Sequence, residues 1–178
     1  MAGRTPGSFV GDPLSAAHAE TYGPLMRFPR RMTLLAAAVT TCVALTAPPA
    51  SAITEAGKYA NQAHRTTNDV RAQHHLGSLS KHKCLKRYAV RQAKAMAAAK
   101  EMFHQNLGPV LKECNLAAVG ENVAYGYVSG QSVVVDGWMN SVGHRANILN
   151  PLFQEMGIGA RKGDDGNWYV AQVLGRSL

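Results

Sequence analysis

Several signatures of the large enzyme classes are missing from this 178-residue sequence. There is no Gly-x-Ser-x-Gly elbow, no glycine-rich phosphate loop, no His-Glu-x-x-His and no Cys-x-x-Cys. Those classes lose their usual support, although catalytic residues distant along a chain can still converge in space. Acidic residues are also scarce, with 11 Asp+Glu against 19 Lys+Arg and a formal net charge of +8. From Ile53 onward the counts are 9 and 15. Such an excess suits an acidic partner such as a cell-wall polymer or anionic lipid. Its simpler reading is a solvated helix face, because the cations are spread over Lys81, Lys83, Lys86, Arg87, Arg91, Lys94 and Lys100. They are not interleaved with aromatics in the manner of a base-stacking platform and no nucleic-acid motif is visible, so nucleic acid is not expected as a partner. A long apolar run is absent too. Thr33 to Ala47 is shorter and richer in Ala and Thr than the roughly 20 apolar residues of a membrane span.

That run has a different use. Arg27, Arg30 and Arg31 precede it, Pro48-Pro49 breaks it, and Ala50-Ser51-Ala52 offers the small-x-small pattern of a signal-peptidase site. Residues 1–52 are therefore predicted to be an N-terminal extension and signal peptide, with 53–178 as the folded domain. The expected localisation is secreted, with no stable membrane span after cleavage. Residues 1–25 precede an otherwise normal signal, and Met26 and Met32 are alternative starts. Of three cysteines, Cys42 lies in the export segment. Cys84 and Cys114 remain as a pair that reads as one disulfide in an exported chain, with two free thiols as the alternative. A bridge closing about 30 residues stabilises by about 3 kcal/mol in the loop-entropy model.

Within 53–178 the spacing predicts a polar-faced helix from Ala60 to about His75. A second is predicted from about Lys83 to Phe103, with Leu85, Ala89, Ala93, Met96 and Ala97 on one face, Ser80 as a capping candidate and Asn106-Leu107-Gly108-Pro109 as the terminator. Val119 to Tyr127 reads as a strand. Ser132 is predicted to cap a short helix carrying Trp138, closed by Ser141-Val142-Gly143, with a turn over His144–Leu149. Met156–Ala160 and Trp168–Leu174 flank the turn Gly163-Asp164-Asp165-Gly166 as a hairpin. Helices followed by antiparallel strands predict an α+β domain with helices packed on a sheet.

Three polar residues stand beside apolar stretches where folding does not require them: His104, Glu121 and His144. Two imidazoles and a carboxylate suit a divalent metal such as zinc, and they also suit proton transfer near neutral pH. Either histidine alone reads more readily as a hydrogen-bonded structural residue.

Two strings narrow the choice. Gly120-Glu121-Asn122-Val123-Ala124, and Trp138-Met139-Asn140-Ser141-Val142-Gly143-His144-Arg145-Ala146-Asn147-Ile148-Leu149, resemble the bacterial branch of the CAP superfamily, which includes cysteine-rich secretory proteins, antigen 5 and pathogenesis-related proteins. Asn68-x-x-Arg71, Met156-Gly157-Ile158-Gly159 and Gln172 fall in the matching order, so the likeness covers about residues 60 to 175. The resemblance implies an α-β-α sandwich of the CAP type, with a small antiparallel sheet between helical layers. It also implies an open cavity whose histidines fall on His104 and His144 and whose first acid falls on Glu121. The second glutamate of many animal members has no counterpart: Asn140 and Ser141 stand in that stretch, with Asp136 nearby. The metal reading is therefore His104, His144 and water, with Glu121 behind them. Arg145 reads as a surface cation, Asn147 as bonding its own turn, Ser141 as a cap rather than a nucleophile, and Trp138 as core. Of Tyr125 and Tyr127, which alternate on the strand, one is expected to line a groove and the other to pack. The implied function is an extracellular binding module for a small apolar or cell-envelope ligand such as a lipid. The alternatives are a metal-assisted or His/Glu-dependent hydrolase and an envelope interaction role.

Overall fold

A computed structural model describes residues 53–178. The extension and signal peptide expected over 1–52 lie outside the described residues. Helix α1 (Glu55–Gln73) begins earlier than the spacing predicts because the Thr54 hydroxyl accepts from Gly57 N at 3.1 Å, capping the first turn. It stops where His75 adopts φ 58°. Strand β1 (Ser80–Lys81) follows, and helix α2 (Lys83–Ala99) is capped by His82, whose ring accepts from Leu85 N, rather than by Ser80.

Helix α2 ends four residues before the predicted Phe103. Lys100 takes the left-handed conformation at φ 54°, which closes the helix and turns the chain outward. Met102 to Gln105 then run without regular structure, so His104 stands on a connection and not at a helix end. The tetrapeptide read as a terminator instead starts a helix, α3 (Leu107–Glu113). Asn106 caps it, and Pro109 sits in the first turn, where its missing N–H has no intrahelical partner to lose.

Strand β2 (Leu116–Tyr125) is followed by one helical turn, α4 (Gly130–Ser132), capped by Ser129. The chain continues through a π-helical turn over Val133–Gly137 and a 3₁₀ turn over Trp138–Asn140. Helix α5 (Val142–Ile148) occupies the stretch predicted as a turn, so Ser141-Val142-Gly143 opens a helix rather than closing one. The hairpin holds: β3 (Glu155–Lys162) and β4 (Trp168–Ser177) pair antiparallel, and Gly166 takes φ 81° in the turn between them.

The four strands form one sheet in the order β1-β3-β4-β2. Only β1 runs parallel to its neighbour, so the sheet is mixed where an all-antiparallel one was expected. Side chains alternate across it, and each face builds its own core. One face gathers Met156, Ile158, Val170 and Leu174 with Tyr59 and Ala63 of α1 and with Trp138 and Ile148. The other sets Val123, Ala171 and Val173 against Leu85, Tyr88, Ala89 and Met96 of α2 and Val110 of α3. Helices thus cover both faces, giving the α-β-α sandwich. Cys84 in α2 and Cys114 after α3 form the expected disulfide. No helix of the described residues is long and apolar enough to cross a membrane.

Candidate functional site

Strand β2 is an outer strand of the sheet, and the candidate residues lie on it or on the segments bonded to it. Glu121 points to the α2/α3 face. Its side chain is only 1% exposed, and its carboxylate accepts three bonds from the connection between α2 and α3. His104 Nδ1 lies 2.8 Å from Oε1, Gln105 N donates to Oε1 at 3.3 Å, and Gln105 Nε2 donates to Oε2. With the carboxylate as acceptor of both Gln105 bonds, the tautomer of His104 that completes the set is the one with its proton on Nδ1. The His104 side chain is 58% exposed, and its second nitrogen, Nε2, keeps a lone pair in the neutral ring.

His144 comes from the other side of β2, on α5. A polar ladder under the sheet holds it there. Asn122, fully buried, donates from Nδ2 to the His144 carbonyl at 3.1 Å and to Gln172 Oε1 at 2.9 Å. Gln172 Nε2 continues the chain to Thr67 Oγ1 of α1 at 3.0 Å. Asn147 donates to Asn122 Oδ1 at 2.9 Å and to the Glu121 carbonyl at 3.1 Å. Buried polar groups are expensive unless paired, and here each finds a partner, so α5 is fixed in register on β2. Burial pushes the His144 ring below its ordinary value, and the neighbouring His104 charge pushes it the same way. His144 is thereby favoured in the neutral form.

His104 and Glu121, distant in sequence, are therefore in contact, and His144 stands on the helix bonded to the same outer strand. Glu121 supports His104 directly and reaches α5 through its backbone carbonyl. Among the described residues no three His, Cys, Asp or Glu side chains are grouped to hold a metal ion. Glu121 is buried and already accepts three bonds, which leaves the two imidazoles as the candidate donors of this set.

Sequence reasoning missed Gln105, whose amide completes the carboxylate's shell; nothing in the local pattern marks it. It also misread Asn147, which bonds β2 rather than its own turn, and Arg145, which is half-buried and donates to the Met139 carbonyl at 3.0 Å. Ser141 stands at the N-cap of α5 but makes no capping bond with its side chain. Trp138 is core as expected, with its indole N–H donating to the Val123 carbonyl at 3.2 Å. Tyr125 is exposed and Tyr127 packs against the Trp138 core.

A two-faced sandwich with a histidine–carboxylate pair at an outer strand defines an α+β domain of the CAP class. The family model described as the cysteine-rich secretory protein family matches residues 64–174, and the chain belongs to that family. Among curated proteins, YkwD of Bacillus subtilis, described as uncharacterized, is 44% identical over 57 residues, which is 32% of this chain and 21% of YkwD. A solved extracellular protein of Bacillus anthracis containing an SCP domain superposes with a TM-score of 0.58 at 28% identity, covering 67% of this chain and 40% of that one. The crystal structure of NaASP2 with Zn2+ shares the fold at a TM-score of 0.54 and 11% identity, covering 74% of this chain and 85% of that one. The chain thus covers well under half the length of the first two.

Proposed function

We propose that the protein is a secreted binding module that takes a small apolar or cell-envelope ligand, such as a lipid, at the His104–Glu121–His144 site. The observation that carries this reading is the pairing of a buried, fully engaged carboxylate with a solvent-facing imidazole. A charge kept that far from water is costly, and here its return is a histidine fixed in tautomer and orientation at the surface. Membership of a secretory family and the export pattern before Ile53 support an extracellular location. Saturable binding of sterols, fatty acids or envelope lipids by the purified protein is expected, with at least a tenfold loss in the His104→Ala, His144→Ala double variant. No saturable binding, or binding indifferent to both histidines, would count against the site.

The same pair favours a second reading, a metal-assisted or His/Glu-dependent hydrolase. With Nδ1 tied to Glu121, His104 Nε2 is placed to accept a proton, and Glu121 stabilises the ring as it charges. Among the described residues a divalent metal such as zinc would find two imidazole donors here and no grouped third side chain. His104 Nε2 and a neutral His144 would hold it together with water, and Glu121 would orient the first ligand, as carboxylates behind metal-bound histidines do. When bound, zinc supplies Lewis acidity and an activated water. Stoichiometric zinc uptake that requires both histidines is the check on this site. Hydrolytic turnover that survives the double variant would exclude it as the origin.

A further inference from the structure

A different part of the fold carries an unassigned binding groove. Strand β3 is paired by β4 along its whole length on one side, but on the other β1 covers only Glu155 and Met156. His82 N donates to the Met156 carbonyl at 3.0 Å, which fixes that carbonyl as facing the outer edge. Strand alternation then directs the N–H and C=O of Ile158 and Ala160 to the same edge, and among the described residues no strand covers them. A cleft of about 760 Å³ lies along this edge, with α1 as one wall and α2 as the other. The size is in the ordinary range for ligand sites.

The α2 wall presents Lys83, Lys86 and Lys94, all exposed, and Lys81 and Arg161 stand at the two ends. None of the described residues lining the cleft is Asp or Glu. An open sheet edge is usually defended by charged residues or proline on the strand itself, or by elements that cover it. Here Gly157, Ile158, Gly159 and Ala160 are uncharged and buried, and protection falls to the helices on either side. Two such walls keep another walled edge from closing in. The cationic rim would also repel a second copy of this chain. What fits between them is a single extended strand of opposite charge.

We propose that the free edge of β3 binds an acidic extended peptide as an added strand, with its backbone on Ile158 and Ala160 and its carboxylates against Lys83, Lys86 and Lys94. This groove is separate from the His104–Glu121–His144 site and does not depend on what that site binds.

The probe is a fluorescein-labelled (Glu-Val)4 peptide titrated into the full chain and followed by fluorescence polarisation. Saturable binding is expected, weakened at least tenfold by the exposed-surface variant Lys83→Glu/Lys86→Glu/Lys94→Glu. N-methylating every second backbone nitrogen should weaken it as much in one alternation and leave it nearly unchanged in the other, because only one set of amides faces β3. The His104→Ala, His144→Ala variant should bind the peptide as well as the parent. Absence of saturable binding, equal binding of (Lys-Val)4, or indifference to both methylation patterns overturns the proposal. So does capture of phosphatidylglycerol vesicles without binding of the peptide, which would assign the cationic rim to a membrane surface.

Discussion

Arg71 is 2% exposed, and its guanidinium donates to four carbonyls: Gly77 at 2.8 Å, Ile148 at 2.7 Å, Asn150 at 3.0 Å and Phe153 at 3.4 Å. One side chain of α1 thus clamps the end of α5 to the start of β3. Truncation would strand the buried Ile148 and Phe153 carbonyls, each at a cost of about 1–3 kcal/mol where water cannot reach it. Arg71→Met is expected to lower stability by about 3 kcal/mol or more in urea unfolding. Arg71→Lys should recover little, since an ammonium cannot span the fan of acceptors. At His144 the prediction concerns pH. Its folded pKa lies below the ordinary value near 6.5, mainly through burial, and His64 is shifted the same way by burial and by Lys81 and Arg65. The unfolded chain therefore takes up protons first as pH falls. The stabilisation from two neutral rings is present above about pH 6.5 and is lost below it. Urea midpoints should drop between pH 7.5 and 5.5, and the drop should be smaller in His144→Gln. An equal drop in the variant would show that this ring does not contribute. Little of this was legible beforehand: Arg71 stood out only as a landmark of the family resemblance, because its acceptors are backbone carbonyls that any residue could supply.

Among the elements, the packing of α2 on β3 depends on two glycines. A Cβ at Gly157 would overlap the backbone of Leu85 and Lys86, and one at Gly159 would overlap the backbone of Ala89 and Val90. No side-chain rearrangement relieves a clash with a helix backbone. Gly159→Ala is therefore expected to cost about 3 kcal/mol, at the upper end of ordinary overpacking, and to show as a lower urea midpoint. Gly126→Ala is a useful contrast, since a Cβ there meets nothing and only its φ of 85° opposes it. The amphipathic spacing of α2 and the alternation of the hairpin were readable because burial imposes the periods of helix and strand on the sequence. Helices α3 and α5 were not. Each has 7 residues, too short for a period to emerge, and each owes its start to what precedes or surrounds it. The parallel pairing of β1 was also hidden, because two residues carry no strand pattern and are placed by their partner Glu155–Met156.

At the scale of the whole molecule, the Cys84–Cys114 bridge encloses the connection that bears His104 and Gln105. Replacing both cysteines by serine should lower stability by about 3 kcal/mol through the entropy returned to the unfolded chain. Amide exchange over residues 100–106 should quicken more than over β3 and β4, whose ladders do not depend on the bridge. Uniform quickening would mean that the bridge supports the fold as a whole and not this connection in particular. The sequence by itself determined the family, the α+β class, the hairpin and the three polar residues worth watching, and it favoured the bridge that the structure forms between the two cysteines. These are recorded in periodicity, turn chemistry and a long unusual string, all of which are local. Only the tertiary structure decided that Glu121 is spent on His104 and Gln105, that Asn122, Gln172 and Thr67 tie α5 to α1 through the sheet, and that one edge of β3 lies between two helices with no further strand on it among the described residues. Those facts arise from which chain segments lie opposite one another, and a buried polar group takes its meaning from the partner that the fold brings to it.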